Sequence, residues 1–135
     1  MATFNKFDEF VLDLAHKIHD LETDQITQAL TAAANAPVAA NDVLADLTEI
    51  SYTNLSSRDV TTASSTQSSG TYSLVLTDHV LTASGTVATF RYVVHYNNTA
   101  SNDELINWYD YGGNVSLGTG ETFTTDYGAS FFTLT

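Results

Sequence analysis

The stretch Phe90-Arg-Tyr-Val-Val-His-Tyr96 decides the fold class of this chain, because its large apolar side chains recur at every second position. That spacing places them on one face of a β-strand. A second stretch, Leu105-Ile-Asn-Trp-Tyr-Asp-Tyr111, has the same character and follows a loop rich in Asn and Asp. We therefore expect two neighbouring strands of an antiparallel sheet.

Shorter apolar runs surround these two stretches, and residues typical of turns separate them. The turn residues are Asn97-Asn98, Gly112-Gly113, Gly118-Thr119-Gly120 and Gly128. Predicted strands cover residues 24–31, 72–77, 89–96, 105–111, 115–117, 122–127 and 131–134. Short strands at this spacing predict a mainly β fold with an N-terminal α-helix, in which residues 23–135 form an antiparallel β-sandwich or flattened barrel.

The N-terminal segment, residues 1–22, has a different pattern. Phe4, Phe7 and Val11 begin a series of apolar residues spaced three and four apart, which predicts an amphipathic helix over 4–20. Two uses of this helix are open. It packs on the domain's own sheet, which we favour, or it docks onto a neighbouring subunit.

Residues 56–71 contain ten Ser or Thr among sixteen positions. Such a composition is typical of a linker or a disordered loop. It equally fits an exposed edge strand or a long hairpin, because Thr favours strands. Both interpretations stay open. Upstream, Val43-Leu-Ala-Asp-Leu47 is expected to form a helical turn.

The charge of the chain excludes several classes of function. It has 135 residues, 16 of them acidic and 4 of them Lys or Arg, for a net charge of −12. So few cations argue against binding to nucleic acid or to anionic membranes. The first ten residues lack the apolar core of a signal peptide, so we expect synthesis in the cytoplasm. The chain contains no cysteine.

No motif in the sequence indicates catalysis or a cofactor, and no metal site is predicted. His16 and His19 are three residues apart, but no further ligand of matching spacing follows, so we interpret them as surface residues. His79 and His95 are interpreted as structural or exposed. The oxygen-rich segment from Asn97 to Glu104 lacks the regular spacing of a calcium loop, which favours a hairpin connection with solvated carboxylates.

Trp108, Tyr109 and Tyr111 form an aromatic cluster with two interpretations. Aromatic side chains stack on sugar rings, so the cluster is a candidate glycan-binding surface. The favoured interpretation is that these residues alternate between the core and an interface along one strand.

Three motifs of the C-terminal half resemble small structural proteins of tailed bacteriophages. They are Phe90-Arg-Tyr-Val-Val-His-Tyr-Asn-Asn-Thr99, Leu105-Ile-Asn-Trp-Tyr-Asp-Tyr-Gly112 and Gly120-Glu-Thr-Phe-Thr124. The upstream strand Ile26–Leu30, then Ala36-Pro37 and Val43-Leu-Ala-Asp-Leu-Thr-Glu-Ile50, also fit that group. The resemblance covers roughly residues 24–55 and 86–135. The Ser/Thr-rich segment after Tyr52 departs from the Gly/Tyr-rich loop expected there.

The resemblance implies a capsid-associated protein, and the charge of −12 favours the outside of a DNA-filled shell. We expect a decoration or cement protein that binds the phage major capsid protein, either as a monomer or as a homo-oligomer such as a trimer. The alternatives are a receptor- or glycan-binding module of a head or tail fibre, and a head–tail connector or tail component. The candidate contact residues are Phe4, Phe7, Val11, Trp108, Tyr109 and Tyr111.

Overall fold

A computed structural model describes residues 2–135 of the chain. These residues form ten strands, one short α-helix and a 3₁₀ turn at Leu44–Asp46. The elements in chain order are β1 (Asn5–Lys6), α1 (Phe10–Ala15), β2 (Ile26–Thr31), β3 (Asp59–Val60), β4 (Thr62–Ser68), β5 (Thr71–Leu76), β6 (His79–Thr82), β7 (Phe90–Asn97), β8 (Leu105–Val115), β9 (Thr122–Thr125) and β10 (Phe132–Leu134). The mainly β, antiparallel and sandwich-like fold confirms the prediction, and the described strands do not close into a barrel.

A five-stranded sheet with the order β1-β8-β7-β2-β3 forms the centre of the molecule. Strand β7 lies in its middle and pairs antiparallel with β2 on one side and β8 on the other. Both strands predicted from the most apolar stretches are therefore neighbours, as expected. A register shift between His95 and Tyr96 leaves Ile106 as an extra residue in β8.

The remaining strands cover one face of this sheet. They form a three-stranded sheet, β10-β5-β4, and a two-stranded sheet, β6-β9. One core cluster joins Ile26 and Tyr109 of the central sheet to Leu74 of β5. A second cluster joins Val93 of β7 to Leu81 of β6. The side chains of these clusters interdigitate between the layers as in a β-sandwich.

The opposite face of the central sheet is covered by irregular chain. Val94 of β7 and Leu105 of β8 pack there with Phe7, and the 3₁₀ turn adds Leu44. The predicted helical turn at residues 43–47 is confirmed by this element. The carboxylate of Asp46 accepts hydrogen bonds from the amides of Asp42 and Val43 and so caps its start.

The prediction of one helix over residues 4–20 is wrong. Residues Asn5–Lys6 instead form β1 on the edge of β8, and the α-helix covers only Phe10–Ala15. Extended backbone sends Phe4 toward Phe131 and Phe7 toward Trp108, with ring centroids 5.3 and 4.6 Å apart. Burial on both sides of the sheet therefore overrides the helical spacing of the apolar residues. Phe4, Phe7 and Phe10 of this segment pack on the domain itself.

Residues 62–76 form a hairpin of β4 and β5, which decides between the two interpretations of the Ser/Thr-rich segment. Its two-residue turn, Ser69-Gly70, has φ values of 50° and 82°. Positive φ at both central positions defines a type I′ turn, whose twist matches that of the paired strands. The hydroxyl-rich segment is therefore ordered by strand pairing.

The Gly112-Gly113 turn predicted between two strands is also wrong, because β8 continues to Val115. The glycines lie in a wide bulge, since Tyr92 pairs with Asp110 while Phe90 pairs with Val115. Four residues of β8 thus lie opposite Arg91 alone. The side chain of Arg91 holds the base of the bulge through two hydrogen bonds to Asp110, of 2.8 and 3.1 Å.

Replacing Phe7 tests the corrected placement of the N-terminal segment. Phe7 is fully buried against the only tryptophan of the chain. We expect Phe7→Ala to lower the free energy of unfolding by about 3–5 kcal/mol and to shift the fluorescence maximum of Trp108 to the red. Urea titration followed by fluorescence measures both effects.

Val11→Ala is the matched control, because Val11 is 52% exposed although the predicted helix placed it beside Phe7. We expect this variant to change the free energy of unfolding by less than about 0.5 kcal/mol. Equal losses in the two variants would contradict the placement described here.

Candidate functional site

The candidate contact residues are not all available to a partner. Phe7 is fully buried and Tyr109 is 3% exposed, so neither can form a contact surface in the folded protein. Phe4 is half-buried among the aromatic rings of Tyr109, Phe131 and Phe132. Of the three N-terminal candidates only Val11 is well exposed.

The aromatic cluster of β8 is divided between the two faces of the central sheet. Trp108 packs with Phe7 on the face covered by irregular chain. Tyr109 packs in the core between the sheets, and Tyr111 lies against Phe123 there with ring centroids 4.8 Å apart. The favoured sequence interpretation, alternation along a strand, describes this arrangement. The three side chains therefore do not share one exposed surface for stacking on a sugar.

An exposed apolar surface is present on the N-terminal helix. Val11 and Leu12 of α1 are 52% and 45% exposed, and Ile18, just after the helix, is 37% exposed. The chain folds back after α1, where the amide of Ile18 donates to the carbonyl of Asp13 at 2.9 Å. We call these three side chains the α1 patch. Isolated exposed apolar residues are common on proteins, but Val11 and Leu12 are consecutive in α1 and Ile18 follows three residues after its end, so this segment is a candidate contact surface.

Acidic side chains are exposed over much of the molecule. Of the 16 Asp and Glu residues only Glu104 is buried, and the others are exposed or half-buried. Two of the four cations are engaged within the protein. Arg91 pairs with Asp110 at 2.8 Å, and Arg58 lies 3.9 Å from Glu49 and stacks over the ring of Tyr52. The surface presented to a partner is therefore strongly negative.

Asn97 joins the N-terminal segment to the loop between β7 and β8. Its side-chain nitrogen donates to Nδ1 of His19 at 3.0 Å and to the Asp24 carboxylate at 2.6 Å. Its side-chain oxygen accepts the amides of Thr99 and Ala100. His19 is therefore buried rather than on the surface as predicted, and burial lowers the pKa of its imidazole.

The oxygen-rich loop is a hairpin connection, as the sequence favoured, although one of its carboxylates is not solvated. Glu104 is buried, and its carboxylate accepts hydrogen bonds from the backbone and side-chain amides of Asn102. These oxygens are thus used to shape the loop. Among residues 2–135, no group of three or more His, Cys, Asp or Glu side chains is arranged to hold a metal ion.

A row of polar side chains crosses the middle of the central sheet. Gln28, His95 and Asn107 occupy paired positions on β2, β7 and β8, and all three are fully buried. Tyr127 lies over the row, with its hydroxyl 2.9 Å from Nε2 of Gln28 and 2.8 Å from Nε2 of His95. The sequence analysis missed this network, although a polar residue at the centre of three apolar strands is a visible signal.

One proton arrangement is consistent with these hydrogen bonds, although Oε1 of Gln28 and Nδ2 of Asn107 have no hydrogen-bond partner. Gln28 donates to the Tyr127 oxygen, the Tyr127 hydroxyl donates to Nε2 of His95, and Nδ1 of His95 donates to Oδ1 of Asn107 at 2.9 Å. The imidazole is neutral in this arrangement. Burial lowers the pKa of His95 to about 3, which agrees with a neutral ring. The network is structural, because it is closed off from solvent.

No known protein family, curated protein or solved structure matches this chain. Within residues 2–135, no helix is long and apolar enough to span a membrane. The exposed patches and the charge distribution described above are therefore the features that bear on function.

The buried His95 predicts a specific dependence of stability on pH. Its pKa is about 3 in the folded protein and near 6.5 in the unfolded chain. The unfolded state therefore binds more protons between these values, so stability is greatest above pH 6.5 and falls as the pH falls. We expect a slope approaching 1.4 kcal/mol per pH unit from this group, measured by urea unfolding between pH 6.5 and 5.

His95→Gln is the control for this slope, because its amide does not titrate in this range. The variant is expected to be less stable at pH 7. The slope of its free energy of unfolding against pH is expected to be smaller, by an amount that corresponds to at most one bound proton. His19 adds to the slope in the same direction, since its folded pKa is also lowered. An unchanged slope in His95→Gln would show that His95 is not the group responsible.

Proposed function

We propose that this protein is a capsid decoration protein of a tailed bacteriophage. It binds the outer surface of the capsid and stabilises contacts between major capsid subunits. Binding rather than catalysis is its role. The observation that carries the proposal is the acidic surface, in which 15 of the 16 acidic residues are at least partly exposed, together with the exposed apolar side chains of the α1 patch.

The charge favours a location away from packed DNA. The net charge is −12, and two of the four cations are paired within the protein. Phosphates on the inner side of the shell repel such a surface, whereas the outer side faces solvent and counterions. The interior of a capsid is therefore the less favourable site.

The α1 patch provides the proposed contact with the capsid. Burying Val11, Leu12 and Ile18 removes apolar area from water, which stabilises a complex. Val11 is the member of this patch that was already a candidate contact residue from the sequence. Few long flexible cations lie on this surface, so little side-chain entropy is lost on docking.

Binding to capsids that lack the protein tests the proposal directly. We expect the purified protein to sediment with empty capsids and to raise the temperature at which they dissociate. Absence of binding, together with unchanged resistance of capsids to heat or chelation when the gene is deleted, would contradict the decoration role. A count of copies per virion by mass spectrometry separates the alternatives, because a connector forms one ring and a decoration protein covers the lattice.

Variants of the α1 patch identify the contact. Replacing Val11 and Leu12 with Ser is expected to weaken capsid binding by about tenfold or more, since each buried side chain contributes about 1.5–3 kcal/mol. Val80→Ser is the matched control, because Val80 is 48% exposed but lies on β6, away from the patch. Equal binding by both variants would exclude the α1 patch as the contact surface.

A further inference from the structure

Strand β4 is an open edge of the three-stranded sheet. It pairs with β5 on one side, and within residues 2–135 no strand pairs with its other side. Thr66, Gln67 and Ser68 are exposed. An unpaired edge presents a row of backbone N–H and C=O groups that can pair with another chain.

The turn geometry identifies which backbone groups are free. In the type I′ turn, the carbonyl of Ser68 accepts the amide of Thr71, so these two residues form a hydrogen-bonded pair. Hydrogen-bonded and non-hydrogen-bonded pairs alternate along an antiparallel ladder. Thr66 therefore also bonds to β5, whereas the backbone groups of Ser65 and Gln67 point away from the sheet.

This edge lacks most of the features that protect natural edge strands from pairing. Its sequence, Thr-Ala-Ser-Ser-Thr-Gln-Ser over residues 62–68, contains neither a charged residue nor a proline. A single irregularity between Thr62 and Ser64 interrupts one end. The small hydroxyl side chains leave the backbone of the remaining stretch accessible.

A cleft lies beside the same strand. It has a volume of about 590 Å³ and is lined by Ser65 and Tyr72, which are hydrogen-bonded to each other at 2.9 Å. Leu14 and Leu134 supply apolar lining. In peptide recognition by strand addition, the backbone ladder gives affinity and an adjoining pocket receives an alternate side chain. Here Ser65 belongs both to the open strand and to the wall of the cleft, which extends across β5 to Leu134 of β10.

The charge around the cleft indicates the kind of side chain it receives. Asp20 and Glu22 line it together with one cation, Lys17. A basic side chain is therefore favoured over an acidic one. A second copy of this chain would bring another net charge of −12 to the same edge, so pairing of β4 with itself is opposed by repulsion.

We infer that β4 binds an extended segment of another protein by strand addition, with a basic side chain of that segment in the adjoining cleft. The backbone of Ser65 and Gln67 provides the free hydrogen-bonding groups. The inference does not depend on the capsid role, because it concerns the strand edge and not the α1 patch.

The probe is a short capped peptide of alternating threonine and valine with one central lysine. Amide exchange followed by NMR is expected to show fast exchange at Ser65 and Gln67 in the free protein and slow exchange at Thr66 and Ser68. Saturating peptide is expected to slow exchange at Ser65 and Gln67 by about tenfold or more. The same peptide with glutamate in place of lysine is expected to bind more weakly, with a difference that shrinks in high salt.

Two substitutions at Gln67 separate the backbone from the side chain. Gln67→Pro removes an outward amide without removing a bond to β5, and it is expected to abolish peptide binding. Gln67→Ala keeps that amide and binds as the unmodified protein does. Both variants lose the side-chain hydrogen bond from the Gly70 amide, so the comparison isolates the backbone donor.

Three results would overturn the inference. The first is unchanged exchange at Ser65 and Gln67 with saturating lysine peptide, which needs no variant. The second is equal binding of the lysine and glutamate peptides. The third is slower exchange of both amides at higher protein concentration in the absence of peptide. That result would mean that a second copy of this chain pairs with the edge. None of them bears on capsid binding through the α1 patch.

Discussion

Polar side chains lie side by side in the middle of the central sheet, where water does not reach them, and each has to find its hydrogen bonds within the protein. Gln28, His95 and Asn107 form hydrogen bonds there with the help of Tyr127, which comes from the segment after β9, whereas Oε1 of Gln28 and Nδ2 of Asn107 have no partner. A buried group left without a partner costs about 1–3 kcal/mol. The network therefore fixes the register of three strands and the position of the C-terminal segment at once.

The distribution of charge follows from the same separation of interior and surface. The interior holds mainly neutral polar groups, whereas nearly all carboxylates remain in contact with solvent. Arg91 and Arg58 hold neighbouring strands and loops together instead of extending toward solvent. The molecule thus offers partners a negative surface, an apolar helix and an uncharged strand edge, each at a different place.

Much of the fold could be predicted from periodicity, because β2, β5, β7 and the first half of β8 bury alternate or continuous apolar residues. The N-terminal segment could not. The spacing of three and four residues between its apolar side chains fits a helix. In the structure the backbone around Phe4 and Phe7 is extended, and the two side chains pack against different core clusters. Tertiary packing decided between two local structures of similar intrinsic preference.

The candidate contact residues show the same limit. A sequence identifies aromatic residues but not the face of the sheet each one joins, and a register shift in β8 changes that face. Val11 alone of the N-terminal candidates stays well exposed. The open edge at β4 was one of two open interpretations of the Ser/Thr-rich segment, because the side on which a strand is paired depends on residues distant in the chain.

The wide bulge of β8 has a practical consequence for engineering. Gly112 and Gly113 have open space where a side chain would project, and the pairs Tyr92–Asp110 and Phe90–Val115 fix the strand on both sides of them. Additional residues inserted between these glycines would extend into solvent while the flanking pairs keep the sheet in register. The bulge is therefore a natural position for displaying a foreign peptide on this domain.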